Sequence, residues 1–289
     1  MPPIAIVTDT DASLPLDLAA QRGISIVPIM IQFEDESLRA DYDLADGPLF
    51  ERISRDGRLP TTAAPSPGAF AEAFEAALSG SSGLGPAADE VICFCVSGAI
   101  SATYAAAQTA RSLVDSERIT VVDTAAVSAV QAFMALCAAE DAAKGASRDE
   151  ILAHAGSIFE RSALYGALST LRYLAMGGRV PHLTASMAQL LNIRPILTMR
   201  SGRLDLLEKV RSRKRAWERM VELSAAHLGQ SGAERWALVY VNAREEALAF
   251  GEQLRAAVSL PAEPLVLPLG AGLAAHTGDG TIAVALVRA

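Results

Sequence analysis

The chain has 289 residues, of which 51% are hydrophobic and only 5% aromatic, and its formal net charge is −8. This length suits one large domain or two ordinary ones, and the apolar content is sufficient for a buried sheet covered by helices. The acidic balance argues against nonspecific nucleic-acid binding and against a polybasic membrane anchor.

The amino terminus and the cysteines favour a cytoplasmic location. MPPIAIVTDT has no basic stretch followed by an apolar run, so we expect no signal peptide. The sequence has no run of about 18 consecutive apolar residues, so we expect no stable membrane insertion. Cys93 and Cys95 alternate within VICFCV, which is typical of a buried strand and indicates a reducing compartment.

The first 145 residues alternate apolar runs, polar loops and helical segments. Strands are predicted at 4–8, 24–33, 91–96 and 118–122, and helices at 15–22, 69–78, up to about 113, and 126–144. Pro28 indicates an edge or a bulge, and Ser66-Pro67 indicates a helix start. The alternation predicts a parallel sheet with crossover helices.

The second half has a different pattern, and we place a domain boundary near residue 160, giving domains 1–160 and 161–289. Helices are predicted at 168–176, 183–192 and 243–258, with a further helix around Trp217. Strands are predicted at 193–199, 236–241, 264–268 and 281–287. Ser201-Gly202 is typical of a hairpin turn, and residues 272–280 (GLAAHTGDG) are predicted to be a loop.

Small polar residues follow three predicted strands, at Thr8-Asp9, Ser97-Gly98 and Asp123-Thr124. Ligands of parallel sheets bind outside the carboxyl ends of the strands, so this edge is a candidate site. Residues 97–104 (SGAISATY) would expose backbone N–H groups at a helix start, which favours an anion. For residues 8–15 (TDTDASLP), simple helix capping is the alternative interpretation.

Two further segments are open to a functional or a purely structural interpretation. His276 lies in HTGDG, where glycines would let the backbone approach a ligand, although a lone loop histidine is usually solvated. Residues 209–215 (KVRSRKR) are usually a solvated face but also suit an acidic partner or a phosphate. The four histidines are widely spaced, and we expect neither a metal site nor, without a GxxxxGK[ST] motif, a nucleotide cofactor.

Eight segments, in order, resemble the motifs of the DegV family and together run from residue 8 to residue 280. They are TDTDASLP, TAAPSPGAF, SGAISATY, VVDTAAVSAVQAFMAL, YLAMGGRV, LLNIRPILTM, KVRSRKRA and LGAGLAAHTGDG. The resemblance implies a two-domain α/β fold, with an N-terminal Rossmann-like domain built on a parallel sheet and a C-terminal α/β domain that completes a lipid pocket. It implies a carrier, not an enzyme, which buries one long-chain fatty acid as its ligand. It also implies that a partner fatty acid kinase, where the host has one, phosphorylates the exposed carboxylate.

The resemblance also implies roles for individual residues. The positions that match the family's carboxylate-binding motifs are Thr62, Ser97, Gly98, Ser101, His276 and Thr277. Asp9 and Arg179 match supporting positions, and Arg211 and Arg213 fall in the segment that would face the kinase. The sequence departs from the family pattern at Ala63, Ala64, Gly98 and Ala102, which bears on the head-group contacts. The alternative from the residues alone is a serine-dependent hydrolase or transferase that uses Ser97 or Ser101 with His276 and Asp9.

Overall fold

The computed structural model describes residues 3–34, 36–177, 193–261 and 263–289. Its strands are β1 (Ile4–Asp9), β2 (Ile24–Val27), β3 (Met30–Phe33), β4 (Glu36–Arg39), β5 (Thr61–Ala63), β6 (Glu90–Cys95), β7 (Ile119–Asp123), β8 (Ser162–Ala167), β9 (Arg194–Arg200), β10 (Arg203–Val210), β11 (Ala233–Tyr240), β12 (Leu265–Pro268) and β13 (Ile282–Arg288). Its helices are α1 (Leu16–Gln21), α2 (Asp46–Asp56), α3 (Pro67–Ser79), α4 (Thr103–Val114), α5 (Ala129–Ala143), α6 (Arg148–Glu160), α7 (Arg172–Met176), α8 (Arg213–Leu228), α9 (Arg244–Arg255) and α10 (Ala271–Thr277), with a 3-10 turn at Thr10–Ala12.

The first sheet has the order β2-β1-β6-β7 and is parallel throughout, which confirms the interpretation of the alternating pattern. Its strands are continuous apolar runs because helices cover both faces. On one face Val7 and Cys93 pack with Phe70 of α3, and on the other Ile6 and Phe94 pack in the core that contains α5. The carboxyl ends of these strands lead into the loops that carry the candidate polar residues.

The second sheet has the order β10-β9-β8-β13-β11-β12 and draws every strand from residues after 160. It is antiparallel except for the β11–β12 pair. Val130 of α5 shares one buried cluster with Ala237 and Ala285 of this sheet, so the two halves have a continuous core. A division at 160–161, between the end of α6 and the start of β8, remains our proposal for the domain boundary.

Local signals explain several element ends. The Ser66 side chain accepts a hydrogen bond from the Ala69 N–H, and Pro67 is the first residue of α3, as predicted. Pro28 divides the predicted 24–33 strand, because β2 joins the parallel sheet whereas β3 pairs with β4 and β5. A hairpin at Ser201-Gly202 is confirmed between β9 and β10.

Other sequence expectations differ from the structure. The loop predicted at 272–280 is wrong in its first part, because α10 occupies Ala271–Thr277, where three alanines and a leucine favour a helix despite Gly272. Helix α6 and strand β8 had not been predicted, although α6 starts with a Ser147–Glu150 capping box. The helix predicted at 183–192 lies outside the described residues. Among the helices that are described, none is long and apolar enough to cross a bilayer.

Candidate functional site

A pocket of about 950 Å³, including its open mouth, lies between the two main sheets. Small-molecule sites are typically concave, with a mostly apolar lining and a few polar groups, so the lining of this pocket makes it a candidate ligand site. Its apolar lining consists largely of aliphatic side chains, namely Ile29, Ala63, Ala64, Ile100, Val127, Leu164, Leu168, Leu174, Leu197, Leu204, Leu269, Leu273 and Ala283. Its polar lining consists of Asp11, Thr62, Ser101, Ser128, Thr198, His276, Thr277 and Thr281.

Thr62 and His276, two of the predicted site residues, are in direct contact at the pocket wall. The Oγ1 of Thr62 lies 2.8 Å from the Nε2 of His276, so a hydrogen bond joins positions 214 residues apart in the chain. Thr62 lies on β5 and His276 in the last turn of α10. The bond therefore connects the N-terminal half to the C-terminal half at the pocket.

Thr277, the next residue, also lines the pocket, and its buried hydroxyl has no hydrogen-bond partner among the described residues. Its Oγ1 is buried, whereas the neighbouring hydroxyl of Thr281 donates to the carbonyls of Thr277 (3.2 Å) and Gly278 (2.8 Å). Leaving a buried hydroxyl unpaired costs about 1–3 kcal/mol. A ligand with a polar head at this wall would supply the missing partner.

Two lining residues, Asp11 and Ser128, had not been singled out as site residues. The Ser128 N–H donates to the Asp11 carbonyl at 2.7 Å, and Ser128 has a φ of +55°, a conformation that is uncommon outside glycine. A Cβ at Gly272 would lie 3.2 Å from both Asp11 Oδ1 and Ile29 Cγ2, so glycine lets α10 approach this wall closely. Asp11 and Ser128 both occur in the motif segments, which is the signal that could have identified them.

Ser101, as predicted, lies on the pocket wall, but Ser97 and Gly98 do not. Ser97 is buried and its hydroxyl donates to the Gly202 carbonyl at 2.7 Å, which ties the strand-end loop to the β9–β10 hairpin. The Gly98 N–H donates to Asp123 Oδ1 at 3.1 Å. Because neither residue lines the pocket, we leave Ser97 and Gly98 out of the proposed head-group contacts, and the roles expected for them remain predictions.

Asp9 is fully buried beneath the site and does not line it. Its Oδ1 accepts from the Asp11 N–H at 2.9 Å and its Oδ2 from the Val96 N–H at 2.8 Å. Burial raises the pKa of the Asp9 carboxyl to about 6, against the opposing effect of the Val96 hydrogen bond. Asp9 thus holds the 3-10 turn and the end of β6 in place, which is a supporting position.

A hydrolase site is not assembled from these residues. Acyl transfer by serine needs a Ser–His hydrogen bond and a carboxylate that orients the histidine. Instead, the Ser97 hydroxyl donates to a backbone carbonyl, the Ser101 hydroxyl lies 2.8 Å from that of Thr103, and both Asp9 oxygens accept from backbone N–H groups. His276 contacts Thr62 rather than either serine.

The predicted basic segment lies at the junction of β10 and α8. Arg211 is exposed and has no ion-pair partner among the described residues, whereas Arg213 is exposed and forms an ion pair with Glu246. Arg179, the other arginine expected near the site, lies outside the described residues. The exposed positive charge at this junction therefore comes from Arg211 together with Lys209 and Lys214, which are also exposed.

The sheet register relates this junction to the pocket. Val210, at the end of β10, pairs with Arg194 at the start of β9. Two residues further along β9, Ile196 pairs with Ala167 of β8, and Ala167 pairs with Ile282 of β13. The end of β10 and the start of β13 are thus at the same edge of the sheet, three strands apart, or roughly 14 Å. Residue 211 follows β10 directly, and α10 immediately precedes the start of β13.

Comparisons with known proteins agree with this architecture. A family model described as "Uncharacterised protein, DegV family" matches residues 3–289. A DegV domain-containing protein from Deinococcus radiodurans is 32% identical over 289 residues, covering 98% of each chain. The structure of a DegV family protein from Thermus thermophilus, described for its fatty acid binding, is 30% identical with a TM-score of 0.90 and full coverage of both chains. DegV from Bacillus subtilis, described as a fatty acid binding protein, is 29% identical with a TM-score of 0.85, also with full coverage of both.

Proposed function

The chain belongs to the DegV family, and we propose that it is a carrier that binds one long-chain fatty acid in the pocket between its two sheets. The observation that carries this proposal is the lining of the pocket, in which aliphatic side chains meet polar residues, among them Thr277, whose hydroxyl has no hydrogen-bond partner within the described ranges. Two structures of similar sequence, from Thermus thermophilus and Bacillus subtilis, are of fatty acid binding proteins.

We propose that Thr62, His276 and Thr277 bind the carboxylate, with Ser101 as a further contact. The Thr62–His276 hydrogen bond brings two of these groups within 2.8 Å of each other, and Thr277 follows His276 directly. Charge-assisted hydrogen bonds to a carboxylate contribute about 1.5–3 kcal/mol each before desolvation is counted. These contacts would fix the orientation of the acid.

The acyl chain supplies most of the affinity in this proposal. Burying a chain of about 16 carbons at roughly 0.8 kcal/mol per CH₂ gives on the order of 11 kcal/mol before the costs of association. Leu164, Leu168, Leu197 and Leu204 of the second half line the surface that such a chain would contact. The head group would therefore decide orientation more than affinity.

Native mass spectrometry of the purified protein, followed by lipid extraction, tests the binding proposal. We expect one fatty acid per chain, released intact on denaturation. Delipidated protein should rebind hexadecanoic acid with one-to-one stoichiometry in a calorimetric titration. Failure to bind fatty acids of any length, or turnover of an ester substrate without a partner, would contradict a carrier function.

We further propose that a partner fatty acid kinase phosphorylates the bound carboxylate, and that Arg211 contributes to docking. The support is the placement of Arg211 at the same edge of the second sheet as the start of β13, roughly 14 Å away across the sheet. An exposed arginine with no ion pair in the described part of the chain suits the acidic surface of a partner through long-range attraction. Arg213 would contribute less, because Glu246 already neutralises part of its charge.

Charge reversal of Arg211 tests kinase docking. Arg22→Glu is the matched control, because Arg22 is also exposed but lies at the opposite end of the second sheet. Arg22 is 3.8 Å from Glu140, and Glu140 binds Arg235. Arg235 pairs with Val287, at the far end of β13. We expect Arg211→Glu to weaken kinase binding and to leave lipid affinity unchanged. The weakening should be smaller at high salt, because salt screens the attraction between the arginine and the partner. Equal kinase binding by both variants would exclude the docking role of Arg211.

A substitution at the head-group wall separates presentation from binding. We expect His276→Ala to lower the rate of phosphorylation by a fatty acid kinase more than it lowers affinity for the acid, since most affinity comes from the chain. The comparison uses calorimetric titration alongside the formation of acyl phosphate at saturating acid. An unchanged rate of acyl phosphate formation would contradict the role proposed for His276.

A further inference from the structure

Cys137, Asp141 and His154 converge at a second place in the molecule, between helices α5 and α6. The Sγ of Cys137 lies 3.0 Å from the Nδ1 of His154, and the Oδ2 of Asp141 lies 2.6 Å from the same Nδ1. The Sγ and Oδ2 atoms are 3.7 Å apart. Cys137 and Asp141 are four residues apart and so lie on one face of α5, towards His154 on α6.

The geometry differs from that of a hydrogen-bonded relay. In a nucleophile–His–carboxylate relay, the nucleophile and the carboxylate contact different ring nitrogens. Here the sulfur and the carboxylate oxygen both approach Nδ1. A neutral imidazole nitrogen either donates one hydrogen or accepts one, so it does not bond strongly to both groups at once. Three potential ligand atoms instead surround a common point.

We propose that Cys137, Asp141 and His154 bind a thiophilic divalent cation, with Zn²⁺ as the best match, and leave a fourth coordination position to water. A thiolate, an imidazole and a carboxylate are ligand types that Zn²⁺ combines in protein sites. The thiolate and the carboxylate together neutralise the two charges of the ion. Three protein ligands with an open position is an arrangement found at accessible zinc sites.

The site requires only small movements to accept the ion. Typical bond lengths of about 2.0–2.3 Å in a tetrahedral site separate the ligand atoms by about 3.3–3.6 Å. The Nδ1 of His154 would therefore move outward by roughly half an ångström or more, a displacement that its partly exposed side chain permits, since 41% of its surface is accessible. The Asp141 side chain is 16% exposed, so the ion can enter from the solvent side.

The surrounding charges are compatible with a cation. The Nζ of Lys144 is 4.0 Å from Asp141 Oδ1, with a side chain that is 75% exposed and free to move away. Arg235 is held by Glu140 through hydrogen bonds of 3.2 and 2.6 Å, so its charge is largely neutralised. The nearest cations are thus either mobile or paired.

Binding releases a proton, because the thiol is protonated before the ion arrives. A cysteine thiol has an ordinary pKa of about 8.5 and is therefore mostly protonated at neutral pH. The sulfur–hydrogen bond breaks, a sulfur–zinc bond forms, and the proton passes to the buffer. Zinc affinity should therefore rise about tenfold per pH unit near neutrality.

The proposed metal site is separate from the pocket. Arg235, whose charge influences the Cys137 thiol, pairs with Val287 at the end of β13 that is distant from Thr281. Metal binding would fasten α5 to α6 rather than contact a ligand in the pocket. Fatty acid affinity should therefore be the same with and without the ion, which makes this proposal independent of the proposed carrier function.

Titration of tag-free, full-length protein with Co²⁺ and Zn²⁺ tests the site. We expect one ion per chain, a cysteinate-to-cobalt charge-transfer band, and displacement of Co²⁺ by Zn²⁺. Calorimetry in buffers of different ionisation enthalpy should show release of about one proton per ion. Zn²⁺ should also raise the unfolding temperature.

Two variants and a control decide whether these residues are the ligands. Cys137→Ser should abolish the charge-transfer band. His154→Gln should weaken Zn²⁺ binding by at least about tenfold, because losing even a residue that only hydrogen-bonds to a metal ligand lowers metal affinity by about that much. His227→Gln is the control, because His227 bonds to the Arg161 carbonyl and should bind Zn²⁺ as the parent does. Absence of Zn²⁺ binding by the parent, or equal binding by all three variants, would overturn the proposal.

Discussion

Removing the buried hydroxyl of Thr277 should stabilise the ligand-free protein but weaken its binding of a fatty acid. Thr277→Val keeps the β-branched shape and volume but removes a hydroxyl that has no hydrogen-bond partner among the described residues. Without ligand, the threonine bears a desolvation cost of about 1–3 kcal/mol, so the valine variant should be more stable by a similar amount. With a fatty acid present, the variant should lack one head-group contact and bind about ten- to a hundredfold more weakly, equivalent to about 1.5–3 kcal/mol.

Thr281→Val is the matched control for this experiment. The Thr281 hydroxyl donates to the carbonyls of Thr277 and Gly278, so its removal should destabilise the lipid-free protein by about 1 kcal/mol. Urea unfolding of delipidated protein measures the first effect. Calorimetric titration with hexadecanoic acid and with hexadecanol measures the second, and only the acid should show the full loss. A valine at 277 that destabilises the lipid-free protein and leaves acid affinity unchanged would refute the reasoning.

Three further predictions concern stability and chain length. Gly202→Ala should destabilise the protein by at least about 1–3 kcal/mol in urea unfolding, because Gly202 has a φ of +74° and its Cβ would lie 2.8 Å from Ser97 Oγ; an unchanged midpoint would count against this strain. Burial raises the pKa of Asp41 to about 6 in the folded protein. As pH rises, the Asp41 carboxyl therefore loses its proton in the unfolded chain before it does so in the folded protein. Folding stability should fall by up to about 3 kcal/mol between pH 4 and 6 as a result. Asp41→Asn, whose carbonyl can still accept from the Ala271 N–H, should remove that part of the pH dependence, and an unaltered profile would exclude Asp41 as its source. Ala283→Leu narrows the pocket and should weaken binding of an 18-carbon acid more than a 12-carbon acid, whereas an equal loss for both would place residue 283 away from the acyl chain.

The sequence was most informative where structure depends on local pattern. The parallel first sheet follows from apolar runs separated by helical segments, and Ser66-Pro67 marks a helix start by its own chemistry. Thr62 and His276 could be nominated from motifs, and the structure brings them into contact. Their roles in binding an acid remain predictions.

Features that depend on how the two halves meet could not be predicted in this way. The Ser97 hydroxyl donates to a carbonyl in a hairpin 105 residues away, and the strand-end position of Ser97 gives no sign of this long-range bond. Cys137 and His154 lie on different helices, and no short histidine spacing marks their convergence. The segment of α10 resembles a loop in sequence because Gly272 lies within it and Gly270 and Gly278 flank it, whereas in the structure the absence of a side chain at Gly272 lets the helix pack closely against Asp11.

The position of β13 has a consequence for how the pocket is made during synthesis. This strand follows its five sheet companions in chain order, yet it lies between β8 and β11 in the middle of the second sheet. A nascent chain that has not emerged beyond Arg288 therefore has β8 and β11 with no strand between them, and the sheet wall of the pocket is unformed. Such long-range pairing is slow to establish. Fatty acid binding of the kind proposed should accordingly require that β13 has been added to the sheet, and a chain truncated before Ile282 should capture no fatty acid.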